Sequence, residues 1–148
     1  MKGSDIVLIL VIILAIAACD DPDCVSDFSD EIHVSFFKME ENQRDTIFIN
    51  SITATNDSSV VGSALLTSVV LPADPNRSEA TFIFNTREYG IDTLTLSYTN
   101  GARLISEDCG VEQFFSDLEV ARSDFDSTSV INQVLVEQIN EDIRIYNN

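Results

Sequence analysis

Residues 92–99 read DTLTLSYT and decide the predicted fold. Leucine and tyrosine alternate with threonine and serine here, which is the period-two pattern of a β-strand with one buried face and one solvated face. Asn100-Gly101 follows directly, and this dipeptide is typical of a tight hairpin turn. We therefore predict a hairpin whose return strand covers residues 102–106.

Other short segments along the chain have the same β-rich composition. They are residues 32–36, 46–52, 64–71, 81–84 and 142–146. Turn residues separate them and no internal repeat is present, so we predict an all-β domain, specifically an antiparallel, immunoglobulin-like β-sandwich. An up-and-down barrel is the alternative architecture.

Two segments are ambiguous between strand and helix. Residues 111–120 contain Phe114, Phe115 and Leu118, whose spacing also suits one face of a helix. Residues 130–139 suit either type of element.

The N-terminus predicts export and lipidation. Residues 6–16 form an unbroken apolar run after Lys2, too short to span a bilayer but typical of a signal-peptide core. The run ends in Ile16-Ala17-Ala18-Cys19, which resembles the bacterial lipobox. We predict a signal peptide over residues 1–18, cleavage before Cys19 and lipidation of its sulfur. An ordinary secretory signal with an incidental cysteine is the alternative.

Acidic residues follow Cys19 at once, as Asp20, Asp21 and Asp23 around a proline. They resemble the acidic export signals of Bacteroidota-type surface lipoproteins. We predict a lipidated acidic tether over residues 19–30 and display on the outer-membrane surface. A solvated tether without a signal, the periplasmic face of the outer membrane, and retention at the inner membrane are the alternatives.

The chain has three cysteines, Cys19, Cys24 and Cys109. Lipidation of the first leaves an even pair in an oxidising compartment, where disulfides persist. We predict a Cys24–Cys109 disulfide, since a C-x-x-C motif is missing and a zinc site would need more ligands.

Length and charge limit the class of protein. Residues 31–148 suit a single domain, and the net charge of −17 argues against nucleic acid as a partner and against contact of the protein body with anionic lipid. Asp124, Asp126 and Thr128 alternate like calcium ligands, but the glycine and the distal glutamate of a calcium loop are missing. We predict no metal and no cofactor.

The sequence offers no catalytic constellation. His33 is the one histidine and lies in an alternating strand, where we expect it to face solvent. A G-x-S-x-G motif and a phosphate-binding glycine loop are missing, and acidic residues are too abundant for any pair to be informative. We predict no catalytic residues and no enzymatic activity.

A few residues are candidates for binding or modification. Tyr89 precedes a turn and is the aromatic residue that we predict to contact a ligand, although packing over the end of the sandwich with a solvated hydroxyl is the simpler interpretation. Thr46, Thr93 and Ser127 each follow an aspartate and precede an aliphatic residue or threonine, a pattern that resembles the O-glycosylation acceptor of envelope proteins. Turn-to-strand transitions produce the same pattern without modification.

The order of these motifs resembles a family of small Bacteroidota-type lipoproteins of unassigned function. The motifs are the lipobox cysteine, the nearby second cysteine, I-x-V-x-F at 32–36, D-T-I-x-I at 45–49, Leu-Pro at 71–72, D-T-L-T-L-S-Y-T at 92–99, D-C-G at 108–110 and E-D-I-x-I-Y at 141–146. The resemblance implies an envelope location and a β-rich domain, and it supplies no catalytic residues.

We therefore predict an envelope-anchored, non-catalytic binding or scaffolding module. Its partners would be the membrane, through the lipid on Cys19, and an envelope protein or a glycan. A surface glycan-handling accessory protein is the alternative function.

Overall fold

The structure is a computed structural model that describes residues 24–55 and 58–148. Every regular element within these ranges is a β-strand. The strands are β1 (Glu31–Lys38), β2 (Gln43–Arg44), β3 (Ile47–Ala54), β4 (Ser59–Val61), β5 (Ala64–Leu66), β6 (Ser68–Pro72), β7 (Glu79–Thr86), β8 (Gly90–Ser106), β9 (Gly110–Ser123), β10 (Ser127–Val130) and β11 (Ile143–Asn147).

The strands form two sheets, so the predicted β-sandwich is confirmed and the barrel is excluded. The first sheet has the order β10-β11-β1-β2, with β6 beside the first half of β1. The second has the order β4-β3-β7-β8-β9, with β5 beside the start of β3. The β1–β11 pair is parallel and the other pairs are antiparallel.

The core lies between the two sheets. Phe36 on β1 meets Phe84 on β7 edge-to-face at 6.4 Å, and Phe84 meets Phe125 in the same way at 5.2 Å. The apolar residues of the 92–99 segment face this core, since Leu94 and Leu96 are fully buried. The alternation in the sequence therefore identified the buried face of β8 correctly.

The predicted turn at Asn100-Gly101 is wrong. Strand β8 continues through both residues to Ser106, and the chain turns at residues 107–109 before β9 begins. Gly110 supplies the left-handed backbone for this turn, with φ of 79°. The return strand predicted at 102–106 is instead the second half of the same long strand.

Packing explains why Asn100-Gly101 remains extended. Gly101 pairs with Phe114 across the hairpin, and a Cβ at Gly101 would collide with the phenyl ring. The Asn100 side-chain amide donates to the carbonyl oxygens of Pro75 and Arg77, at 2.9 and 3.0 Å. Glycine is thus required for close approach and asparagine for a loop contact.

A β-bulge explains the helix-like spacing in residues 111–120. The β8–β9 register shifts by one residue around Asp117, whose φ is 54°. This shift lets Phe115 and Leu118, three residues apart, both face the core with exposures of 2% and 0%. The segment is strand throughout.

The segment 64–71, predicted as one strand, is divided between the two sheets. Thr67 separates β5, which pairs with β3, from β6, which pairs with β1. The two short strands also expose part of their apolar surface, because Leu65 is 63% accessible.

Most of the ambiguous segment 130–139 is neither strand nor helix. Strand β10 ends at Val130. Later in the segment, Val136 forms an isolated β-bridge with Phe28. Leu135 is nevertheless fully buried, and its backbone N–H donates to the carbonyl of Phe115 at 3.1 Å. Tertiary burial of a loop accounts for its apolar composition.

The variant Gly101→Ala tests the close approach in the hairpin. We expect a loss of about 1 to 3 kcal/mol in the free energy of unfolding, because the new methyl group must displace the Phe114 ring. Gly62→Ala is the matched control, since a Cβ there meets nothing within 4 Å. Urea unfolding measures both, and equal stability of the two variants would contradict the packing described.

Candidate functional site

The N-terminal residues 24–28 are fixed to the β8–β9 hairpin, and we call this contact the N-terminal junction. Cys24 forms a disulfide with Cys109, in the turn of the hairpin, across a sequence separation of 85 and with Cα atoms 5.4 Å apart. The predicted pairing is confirmed. The first described residue is therefore held at the end of the longest hairpin in the described sandwich.

A buried carboxylate strengthens the junction. Glu112 on β9 is 7% exposed and accepts a hydrogen bond from the Ser26 hydroxyl at 2.6 Å. Its other oxygen accepts from the guanidinium Nε of Arg103 on β8. A carboxylate with a charged donor and a hydroxyl donor is satisfied despite its burial.

Phe28 completes the junction with apolar contacts. Its ring lies 5.7 Å from that of Phe114, and the Arg103 guanidinium is 4.5 Å from its centroid. A cation–π contact of this kind adds to the ion pair that the same arginine makes. The contacts among Ser26, Phe28, Arg103 and Glu112 were not predicted from the sequence, since nothing in the spacing links residues so far apart. An aromatic residue within an acidic segment was the available signal.

Tyr89 lies at the opposite end of the β8 strand from the junction. It is half-buried, and its hydroxyl donates to Asp45 at 3.2 Å, so the hydroxyl is engaged within the protein. Burial and the neighbouring Asp45 carboxylate raise the pKa of Tyr89 above its ordinary value. The ring borders a surface pocket of about 420 Å³, together with Lys38, Met39, Glu40, Glu41, Asn147 and Asn148. A ligand contact at Tyr89 stays a prediction.

His33 is less exposed than the sequence suggested. Its side chain is 19% accessible, and its Nδ1 lies 3.5 Å from a carboxylate oxygen of the buried Asp142. The same carboxylate accepts the His33 backbone N–H at 2.7 Å. The expectation of a solvent-facing histidine is therefore wrong, because the loop before β11 covers it.

The described residues do not assemble a metal site, and none of them lies in a membrane-spanning helix. In residues 24–55 and 58–148, three or more His, Cys, Asp or Glu side chains never group closely enough to hold a metal ion. A helix long and apolar enough to cross a bilayer is likewise missing from that part of the chain.

Residues 46–147 match the model of a family of unknown function, DUF6452. The chain belongs to this family. The DUF6452 match runs from the start of β3 to the end of β11 and includes Cys109, and it begins after Cys24 and β1. Nothing matches the chain among curated proteins or among solved structures. The predicted membership of a family of unassigned function is confirmed.

The candidate glycosylation sites of this DUF6452 member occupy different environments. Thr46 is exposed just before β3, whereas Thr93 in β8 and Ser127 in β10 are half-buried. Thr46 is therefore the most accessible of the three acceptors. Modification at each stays a prediction.

Several predictions concern residues outside those that the structure describes. They are the signal peptide over 1–18, the lipidated Cys19 and the export signal of Asp20, Asp21 and Asp23. Residues 24–30 of the predicted tether 19–30 are described, and residues 24–28 contact the hairpin as set out above.

The N-terminal junction should make the free energy of unfolding depend on pH. Hydrogen bonds from Ser26 and Arg103 lower the pKa of Glu112 below its ordinary value. A group with a lowered pKa stabilises the fold above its unfolded pKa, and this stabilisation is lost as the pH falls through the folded pKa. We expect Glu112→Gln to reduce stability at neutral pH, with the difference from the wild type shrinking in acid.

Urea unfolding at neutral and acidic pH measures this difference. Glu119→Gln, which replaces an exposed carboxylate on the same strand, is the matched control. A Glu112→Gln effect of constant size at every pH would contradict the assignment.

Proposed function

We propose that the chain is an envelope-anchored lipoprotein whose Cys19 carries acyl chains. The β-sandwich would act as a non-catalytic binding or scaffolding module at the outer membrane. The N-terminal junction carries this proposal, because it provides a firm attachment point five residues after the lipobox cysteine.

The arrangement suits an anchored domain. A lipid on Cys19 would hold Cys24 near the membrane. The disulfide would in turn connect Cys24 covalently to the β8–β9 hairpin. Hydrogen bonds add a second attachment, because Glu112 on β9 accepts from Ser26 in the N-terminal segment and from Arg103 on β8. Several buried acyl chains supply durable attachment, since each methylene contributes about 0.8 kcal/mol.

Fractionation of cells that express Cys19→Ser tests the anchor. We expect wild-type protein in the membrane fraction, released only by detergent and labelled by radioactive fatty acid, and a Cys19→Ser protein that takes up no fatty-acid label. Cys24→Ser is the control, because it removes the disulfide and leaves the lipidation cysteine intact. Fatty-acid labelling of Cys19→Ser at the wild-type level would contradict the proposed anchor, whereas retention without label would only report an uncleaved signal peptide.

We further propose that the domain faces the outside of the cell. The acidic residues Asp20, Asp21 and Asp23 support this orientation through their resemblance to a surface-export signal. Protease shaving of intact cells should degrade the wild type and spare a variant with Asp20→Ala and Asp21→Ala. Protection of both until the cells are lysed would place the domain in the periplasm.

A glycan-handling accessory role is the second candidate. The pocket beside Tyr89 supports it, because an aromatic ring and the 42% exposed Met39 border the same space. Calorimetric titration with polysaccharide from the envelope of the cells that produce the protein should show binding that Tyr89→Ala abolishes. Binding that survives this substitution would locate the glycan site elsewhere.

A further inference from the structure

The tip of the β8–β9 hairpin exposes apolar side chains beside the disulfide. Leu104 is 62% accessible and Val111 is 66% accessible, and the two are direct partners across the hairpin. Cross-strand partners place their side chains next to each other on one face of a sheet. Successive strand residues point to opposite faces, so Ile105, which is 36% exposed, extends the apolar surface to the other side of the hairpin end. Val25 follows the disulfide-bonded Cys24 at this end of the domain and is 67% exposed. We call these four residues the apolar tip.

In residues 24–55 and 58–148, the side chains of the apolar tip lie outside the hydrophobic core and the residues packed against it. Val25 follows Cys24 in the chain and Val111 is two residues from Cys109, so the disulfide joins the two chain segments that carry the apolar tip. Soluble proteins scatter single apolar residues over their surfaces, whereas grouped ones mark a site of contact.

The length of chain before Cys24 identifies the occupant. Five peptide steps separate Cys19 from Cys24, so a lipidated Cys19 lies at most about 17 Å from the disulfide. The hairpin tip is thus the part of the domain that such an anchor keeps at the membrane. A short tether also gives a high effective concentration, so a small apolar patch is sufficient for contact.

We infer that the apolar tip contacts the bilayer surface, with Leu104 and Val111 in the boundary between headgroups and acyl chains. This inference rests on the proposed lipid anchor. The exposed acids Glu107 and Asp108 in the turn would remain in the headgroup layer, and they favour zwitterionic over anionic lipid. The hairpin end of the domain would then face the membrane, and Tyr89 and its pocket would face away from the membrane.

Tryptophan fluorescence tests this contact well, because the chain contains no tryptophan. Val111→Trp and Leu104→Trp each place one fluorophore in the tip. Ile91→Trp is the matched control, since Ile91 is 70% exposed on the same strand at its other end. The full mature proteins, purified from membranes, are incorporated into phosphatidylcholine vesicles with and without brominated acyl chains.

We expect both tip variants to lose about half of their emission to the brominated lipid, while the Ile91→Trp variant is unchanged. Replacing part of the phosphatidylcholine with phosphatidylglycerol should weaken the quenching, because the tip is acidic. Flotation of the vesicles reports separately on the anchor.

The outcomes separate the tip contact from the anchor. Flotation without quenching of either tip variant would overturn the contact and leave the anchor standing. Equal quenching of all three variants would overturn it as well, because the domain would then lie on its side. Tip emission that is blue-shifted but insensitive to bromine would overturn the lipid contact and indicate contact with a second copy of the chain instead. Protein that fails to float would refute both the anchor and the inference.

Discussion

Removing the Cys24–Cys109 disulfide should lower the free energy of unfolding by about 4 to 5 kcal/mol. The bond closes a loop of 85 residues, and a cross-link of that length restricts the unfolded chain strongly. This loss is large, because the free energy of unfolding of a typical domain is roughly 5 to 15 kcal/mol. Cys109→Ser and Cys24→Ser should behave alike, since either one abolishes the same bond.

Urea unfolding with and without reductant measures this effect. Reductant should bring the wild type to the stability of Cys109→Ser and leave the variant itself unchanged. A wild type that is insensitive to reductant under unfolding conditions would show that the bond contributes nothing to stability.

The variant Phe84→Ala should cost about 3 to 5 kcal/mol, because it opens a cavity between the two sheets. Phe84 is fully buried. Among the aromatic pairs of the described residues, its ring alone contacts both Phe36 across the sandwich and Phe125 after β9.

Ile83→Ala is the matched control for Phe84→Ala. Ile83 is the preceding residue on β7, and it is 40% exposed on the opposite face of the strand. We expect a loss of at most about 1 kcal/mol for this variant, since much of its side chain is already in water. Equal losses for the two substitutions would contradict the assignment of the faces of β7.

Local alternation predicted the strands well. The 92–99 segment alternates cleanly because β8 has one core face, and the same rule located β1, β3, β7 and β11. The pairing of Cys24 with Cys109 was also predictable, because it followed from counting cysteines once one of them was assigned to lipid.

Features that depend on distant contacts were not predictable. Gly101 resembled a turn residue, and only the ring of Phe114 explains why a glycine stands inside a strand. The helix-like spacing of Phe115 and Leu118 reflects a bulge at Asp117, which a periodic pattern cannot distinguish from a helix face.

The junction shows the same limit at the candidate site. Glu112 looked like one acid among many until the fold placed Ser26 and Arg103 beside it. A sequence with 25 acidic residues offers no means of choosing such a carboxylate in advance. The apolar tip was equally hidden, because the turn had been assigned to the wrong residues.

We propose that the mature chain begins at a lipidated Cys19, five residues before the disulfide that joins Cys24 to the β8–β9 hairpin. The intact mass of the protein purified from membranes, measured before and after reduction, tests both the lipid and the disulfide. We predict the mass of residues 19–148 plus acyl groups, with a gain of two hydrogens on reduction. A mass without acyl groups, or one that still includes residues 1–18, would contradict the account.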